Sequence, residues 1–184
     1  MLEAFLAHHC APAFAGIKPA NIAACLRKQF PNLHQELERL NGALNQKDIY
    51  IEILFECEVR ALVIVYRKSV LEKHLQAYNN NGFLQQYGYP ETASLAEYLD
   101  ILRGRLCCDS FPHEIGVFLG YPLHDIYCFI HHRDQGCLLI GEWRVYQNPE
   151  EAKEKFRRFA CCRKELVKHI TERGKTLAQV FCAA

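Results

Sequence analysis

The stretch IYIEILFECEVRALVIVYR (49–67) decides the fold. The side chains of its first part alternate with a period of two, which predicts a strand with one more polar face. One face would carry Ile49, Ile51, Ile53 and Phe55, and the other Tyr50, Glu52, Leu54 and Glu56. Its second part, 59–66, is rich in β-branched residues and predicts a more buried strand. The gap between the two parts is short, which indicates an antiparallel hairpin, although no Asn-Gly or Asp-Gly turn marks it.

Helical patterns flank this hairpin on both sides. Apolar spacing predicts helices over 2–9, 21–28, 32–46, 68–78 and 123–132. Ser94 and Glu97 form a capping box that marks one further helix start. Two segments with several prolines and glycines, 10–21 and 111–122, are expected to be loops or turns.

The C-terminal third returns to a strand and then to helix. The segment from Cys137 to Tyr146 predicts a third strand. Asn148 is expected to cap a long helix that ends at Gly174, and a short tail helix follows Thr176. We therefore expect one α+β domain over 1–184, with a C-terminal helical segment from about 149. Its small, mostly antiparallel sheet has about three strands and packs with several helices.

Composition and charge exclude several classes of protein. The 184 residues carry 22 Lys+Arg and 21 Asp+Glu, a formal net charge of +1. Binding to nucleic acid or to an anionic membrane would need a local patch, so neither is an expected partner. No segment approaches the roughly 20 apolar residues of a membrane-spanning helix. The N-terminus lacks the basic region of a signal peptide, so we expect a cytoplasmic protein with reduced thiols.

The chain has ten cysteines, none in zinc-finger spacing. Cys107 with Cys108, and Cys161 with Cys162, are adjacent pairs whose side chains diverge on a helix or strand. Most of the ten fit the ordinary role of a free cysteine as a small buried hydrophobic residue.

Two segments are candidates for chemistry. In the first, Cys10 follows His8 and His9 and precedes Lys18, and nearby positive charge favours a thiolate or a bound thiophilic metal. In the second, FPHEIGVFLGYP (111–122), His113 stands beside Glu114 and could serve as a base or a metal ligand. Each segment also fits a structural role, with Cys10 packed inward and His113 in a turn.

Weaker candidates lie at the end of the second strand and on the last long helix. Tyr66 and Arg67 end the strand, where Arg67 could hold a carboxylate or phosphate or be an ordinary surface cation. Cys162 falls on the apolar stripe of the helix, a position that indicates packing in the core. The usual motifs of nucleotide binding, zinc proteases and serine hydrolases do not occur.

Four stretches together resemble a known family: HHCAPAFAGIKPAN (8–21), LVIVYRKSVLEKHL (62–75), FPHEIGVFLGYPLHDIYCFI (111–130) and GEWRVYQNPEEAKEKFRRFACCRK (141–164). The family consists of uncharacterised cytoplasmic proteins, mainly from anaerobic gut-type bacteria, and is known only as a domain of unknown function. The resemblance covers about residues 2–180. Its pattern includes Cys10, Lys18, Tyr66, Arg67, His113, Glu114, Gly120, Tyr121, Asp125 and Cys162. Genes of this kind are associated with neighbours for flavodoxins and iron handling.

Three functions are compatible with these residues. The first is a metal- or thiol-linked accessory protein, in which Cys10, His113 and Cys162 bind iron, haem or zinc. Lys18, Tyr66, Arg67 and Tyr121 would contact the cofactor, and the resemblance suggests a flavodoxin-type redox protein as partner. The second is a non-enzymatic interaction domain.

The third is a Cys-His hydrolase or acyl transferase, with Cys10 as nucleophile, His113 as base and Glu114 or Asp125 as the orienting carboxylate. The metal and hydrolase hypotheses require that segments 8–18 and 111–121 share one pocket.

Overall fold

The computed structural model describes residues 1–79, 82–108 and 110–182. Two short 3₁₀ helices, Asn45–Lys47 and Leu84–Tyr87, accompany the main elements. In chain order the main helices and strands are α1 (Leu2–Phe14), β1 (Ala20–Leu26), α2 (Leu33–Leu44), β2 (Ile49–Glu56), β3 (Arg60–Arg67), α3 (Lys68–Asn79), α4 (Leu95–Leu106), α5 (Ile115–Phe118), α6 (Leu123–His132), β4 (Leu139–Ile140), β5 (Arg144–Val145), α7 (Pro149–Thr171) and α8 (Leu177–Phe181).

The main sheet has three antiparallel strands in the order β1-β3-β2. Ile64 of the central strand lies opposite Ile22 of β1 and Glu52 of β2. The register shifts once, between Ile53 and Phe55. The predicted hairpin over 49–67 and the α+β class are therefore confirmed.

The expected helix over 21–28 is wrong, because this part of the chain forms β1. Its alanines favour a helix by intrinsic propensity. The whole segment nevertheless pairs with β3, from Ala20 opposite Tyr66 to Leu26 opposite Arg60. Ladder hydrogen bonds along a buried strand outweigh a propensity difference of a few tenths of a kcal/mol per residue.

Strand β3 is buried on both faces and separates two hydrophobic cores. Ala61, Val63 and Val65 belong to the first core, together with residues of α1, α2, α7 and α8. Ile64 and Tyr66 belong to the second, together with residues of α3 to α6. Helices thus cover both faces of the sheet, and β1 forms one edge where the two helical layers approach each other.

The prediction of a single strand over 137–146 is wrong. The segment forms a tight hairpin of β4 and β5, which pair with each other and not with the main sheet. Gly141 at its turn lies against the ring of Phe156 with no space for a Cβ atom. Trp143 packs on the same ring, with the centroids 4.6 Å apart. The missing side chain lets the turn lie against Phe156, a close approach that the apolar pattern alone does not reveal.

Two helix boundaries differ from expectation. Helix α1 continues through Pro12 to Phe14, so the expected loop over 10–21 is reduced to 15–19. Helix α7 begins at Pro149 as predicted but ends at Thr171, and Asn148 forms no side-chain cap. The short tail helix after Thr176 is confirmed as α8, with a capping box. No helix in the described ranges is long and apolar enough to cross a membrane.

The turn after α1 touches the segment 111–121 at one very close point. Gly120 has φ +72°, and a Cβ atom added there would lie 2.6 Å from Cδ of Pro19. His74 of α3 fixes the same segment, because its Nε2 lies 2.8 Å from the Val117 carbonyl oxygen. This contact brings the two proline- and glycine-containing segments together.

We therefore expect Gly120→Ala to lower the free energy of unfolding by about 2 kcal/mol or more, from left-handed strain plus the clash with Pro19. Urea denaturation measures this change. The matched control is Gly42→Ala on the exposed face of α2, where an added Cβ meets nothing within 4 Å. Because alanine favours a helix over glycine, the control should be neutral or stabilising by about 0.5–1 kcal/mol. Equal effects of the two substitutions would contradict the close contact.

Candidate functional site

Lys18 is a buried lysine at the edge of the sheet. Its backbone N–H, like that of Ile17, donates to the carbonyl oxygen of Pro12, which folds the chain back after α1. Strand β1 begins two residues later, and Asn21 on that strand accepts a hydrogen bond from Ala13 N at 3.1 Å. The Lys18 side chain is only 4% exposed. The end of α1 and the start of β1 thus fix a cation inside the protein.

This lysine lines a cavity of about 360 Å³, which we call the polar cavity. Its walls come from α1, β1, the segment 111–121, the β4–β5 turn and α7. The lining residues are His8, His9, Lys18, Asn21, Ile22, Leu119, Tyr121, Glu142 and Arg163. Two fixed cations and one carboxylate leave a positive charge when the histidines are neutral.

The carboxylate of the polar cavity is held mainly by arginine. Arg163 Nη2 lies 2.5 Å from Glu142 Oε2, whereas Lys18 Nζ lies 3.9 Å from the same oxygen. That second distance is too long for a hydrogen bond, and no described residue forms one with Lys18 Nζ. The Lys18 ammonium instead lies over the rings of Tyr121 and Phe159, 5.1 and 5.7 Å from their centroids.

Burial changes the acid–base properties of these groups. Desolvation lowers the pKa of Lys18 to about 8, against a smaller opposite effect of Glu142. It also raises the pKa of Tyr121 to about 12 and lowers that of His9, where the charge of His8 adds to the effect. The cavity therefore contains an ammonium that gives up its proton more readily than an exposed lysine.

A second cavity of about 350 Å³, which we call the apolar cavity, adjoins the first. Ile22, Leu119, Tyr121 and Glu142 line both. The remaining wall of the apolar cavity is largely hydrophobic: Phe111, His113, Ile115, Gly116, Asp125, Ile126, Phe129, Ile140, Gly141, Trp143 and Arg144. The two cavities are therefore neighbours, the first polar around Lys18 and the second apolar around Trp143, and we call the pair the cleft.

Asp125 holds the β4–β5 hairpin over the apolar cavity. The Trp143 indole Nε1 donates to Asp125 Oδ2 and the Tyr146 backbone N donates to Oδ1, both at 2.8 Å. The carboxylate is almost fully buried. These charged hydrogen bonds fix Trp143 and, through the hairpin, the position of Glu142.

The structure brings the two predicted segments together, but not through the predicted pair of residues. Residues 8, 9 and 18 meet residues 119 and 121 in the polar cavity. Cys10 is 0% exposed and belongs to the first core, where burial raises its pKa well above the usual range. His113 lines the apolar cavity, edge-on to Phe129 at 5.0 Å, and Cys10 lines neither cavity.

The predicted metal ligands do not converge. Cys162 is half-buried and packs against the first core. Among the residues that the structure describes, no three His, Cys, Asp or Glu side chains are grouped so as to hold a metal ion. Cys10, His113 and Cys162 therefore form no such group.

Three other predicted site residues have structural contacts. Glu114 is fully buried and forms an ion pair with Arg105 of α4. The Tyr66 hydroxyl donates to Glu52 within the sheet. Arg67 donates from Nε to the Phe14 carbonyl oxygen at 2.8 Å and from Nη1 to that of Lys47 at 3.1 Å, so it closes the C-terminus of α1. Of the four predicted cofactor contacts, Lys18 and Tyr121 line the cleft.

Sequence reasoning missed Glu142, Arg163, Phe129 and Trp143 as site residues. Arg163 could have been found, because it follows Phe159 by four positions and precedes Leu166 by three, and so lies on the same helical face. Glu142 required the hairpin turn, which the strand prediction concealed.

The family comparison agrees with the resemblance. The model of a family described as "Protein of unknown function (DUF3793)" matches residues 6–181, and the chain belongs to that family. Neither a search of the curated proteins nor one of the solved structures found a match.

Removing the buried charge should stabilise the protein. A pKa of about 8, compared with an ordinary 10.5, means that the folded state disfavours the Lys18 ammonium by roughly 3 kcal/mol. We expect Lys18→Met to raise the free energy of unfolding at pH 7 by up to that amount. As pH rises from 8 to 10.5, the folded wild type has lost the Lys18 proton while the unfolded chain still holds it. The free energy of unfolding of the wild type therefore increases relative to that of the variant over this range.

Chemical denaturation of both proteins at several pH values tests this expectation. A variant that is less stable than the wild type at pH 7, or a difference independent of pH, would contradict the burial of an unfavourable charge.

Proposed function

We propose that this member of the DUF3793 family binds a small amphipathic anion in its cleft, with the acidic group at Lys18 and the apolar part in the apolar cavity. One observation carries the proposal. A buried ammonium without a hydrogen-bond partner among the described residues lines the polar cavity, which shares four wall residues with the apolar cavity. Buried charges are normally paired, so a ligand anion is the natural partner.

The charge of the polar cavity supports a singly charged ligand. Arg163 and Glu142 form a pair at 2.5 Å, and Lys18 Nζ lies 3.9 Å from the same carboxylate, so two cations share one anion and one positive charge is left over. A carboxylate is small enough to accept a hydrogen bond from Lys18 Nζ in a cavity that Arg163 also lines. His8 and His9 at the cavity wall can donate further hydrogen bonds.

The apolar cavity supports a hydrocarbon body on that ligand. Ile126, Phe129 and Trp143 offer aliphatic and aromatic surface, and the volume of about 350 Å³ suits a ring or a short alkyl chain. Phe111 and Ile140, which are 51% and 70% exposed, stand in the wall of this cavity and would lose water on binding.

The other hypotheses receive less support from the geometry. A thiol- or metal-linked role with iron, haem or zinc depends on Cys10, whose sulfur is buried in the core. A hydrolase depends on Cys10 meeting His113, and the two do not line a common cavity. The flavodoxin-type partner, an interaction-domain role and the cytoplasmic location stay predictions.

The direct test is binding of 3-phenylpropionate, measured by isothermal titration calorimetry at low salt. We expect binding to the wild type and a loss of about tenfold or more in affinity for Lys18→Met, because a hydrogen bond to a charged group is worth about 1.5–3 kcal/mol. Neutral 3-phenylpropan-1-ol should bind the two proteins alike. Hexanoate and phenyl phosphate extend the panel to an alkyl chain and to another acid.

Lys164→Met is the matched control, since Lys164 is exposed on the same helix as Arg163 and lines neither cavity. Phe129→Ala should weaken 3-phenylpropionate but not propionate. The proposal fails if no acid of the panel binds, or if Lys18→Met binds 3-phenylpropionate as well as Lys164→Met does.

A further inference from the structure

The environment of Lys18 also suits a chemical role. Its side chain is 4% exposed, whereas those of Lys68 and Lys153 are 51% and 49% exposed. Lys18 is the one lysine among the described residues that is buried. It nevertheless lines a cavity, so a small molecule can reach its amine.

Burial and the pairing of Glu142 with Arg163 favour the neutral amine at this position. The Lys18 side chain is 4% exposed, so desolvation penalises its charged form. Arg163 takes up the charge of Glu142, which leaves the carboxylate 3.9 Å from Lys18 Nζ. Because burial lowers the pKa of Lys18 to about 8, Lys18 is a neutral amine in roughly a tenth of the protein molecules at neutral pH. A desolvated lysine is one recognised form of activated nucleophile.

We propose that Lys18 forms an imine with a ligand whose ketone or aldehyde group is next to its acid, so that the carbonyl carbon meets Lys18 Nζ while the acid turns to Arg163, which lines the same cavity. This inference rests on the proposed function, because the cleft must first hold the ligand. It narrows the expected ligands from amphipathic acids in general to those that also carry an aldehyde or ketone group.

The chemistry requires no other reactant. The Lys18 nitrogen lone pair attacks the carbonyl carbon, a C–N bond forms, and the C=O π electrons move to oxygen, which takes up a proton as nitrogen releases one. The hydroxyl then leaves as water after protonation, and the nitrogen lone pair closes the C=N bond. Nitrogen returns a proton to solvent, so amine and carbonyl give imine and water.

Glu142 is placed to carry protons in these steps. Its Oε2 lies 3.9 Å from Lys18 Nζ, close enough to exchange a proton through the departing or entering water. Arg163 keeps the carboxylate near this position by its 2.5 Å contact.

The test is reductive trapping of the full chain with phenylpyruvate, whose ketone is next to its acid, and sodium cyanoborohydride, followed by peptide mass spectrometry. We expect Lys18 to be modified at least tenfold faster than Lys164, with a rate that increases through pH 8. Since both lysines are compared within the wild-type protein, the result does not depend on whether a variant folds. Lys18→Arg should lose the fast adduct and Lys164→Arg should keep it.

Calorimetry with 3-phenylpropionate, which has no aldehyde or ketone group, separates the two proposals. If it binds but Lys18 reacts no faster than exposed lysines, the imine proposal is wrong and the binding proposal stands. If fast labelling of Lys18 occurs and 3-phenylpropionate slows it, both are supported. If neither binding nor selective labelling is found, both are wrong.

Discussion

Burial of strand β3 on both faces is the constraint on which the rest of the structure depends. Its side chains alternate between two cores, so helices must cover each face of a sheet that is only three strands wide. Strand β1 then forms an edge, and the helical layers meet beside it. The cleft lies at this junction, with Ile22 of β1 in the walls of both cavities. The cavities thus result from how two layers close around a narrow sheet.

The position of Lys18 shows a conflict between stability and chemistry. An ammonium at 4% exposure, without a hydrogen bond from a described residue, is unfavourable for folding. The surroundings compensate partly, through the rings of Tyr121 and Phe159 and the more distant Glu142. A hydrophobic residue of similar length would fit the same space. Local departures of this kind from the rules of stable packing mark functional positions.

Much of the fold was predictable because its signals are local. The alternation over 49–56, the β-branched run over 59–66 and the capping box at Ser94 each appear within a few residues. The β1 strand was not predictable in the same way, because only its pairing with β3 overrides its alanines. Lys18 was a candidate from its position after Cys10 as well as from the family pattern, whereas Tyr121 came from the family pattern alone. Their meeting depends on the long-range contact of Gly120 with Pro19. Glu142 depends on a turn that the apolar pattern hides. Cys10 was a reasonable candidate from its neighbours, but the packing of α1 directs it into the core.

Ligand binding in the cleft depends on a Lys18 ammonium that is only partly compensated within the protein and that a ligand acid neutralises. The most direct measurement is an NMR titration of the Lys18 side chain, by its ¹³Cε shift, with and without saturating 3-phenylpropionate. The account predicts a pKa of about 8 in the free protein and a clear increase with the acid bound, since a nearby carboxylate favours the charged amine. An ordinary pKa near 10.5, unchanged by the acid, would contradict it.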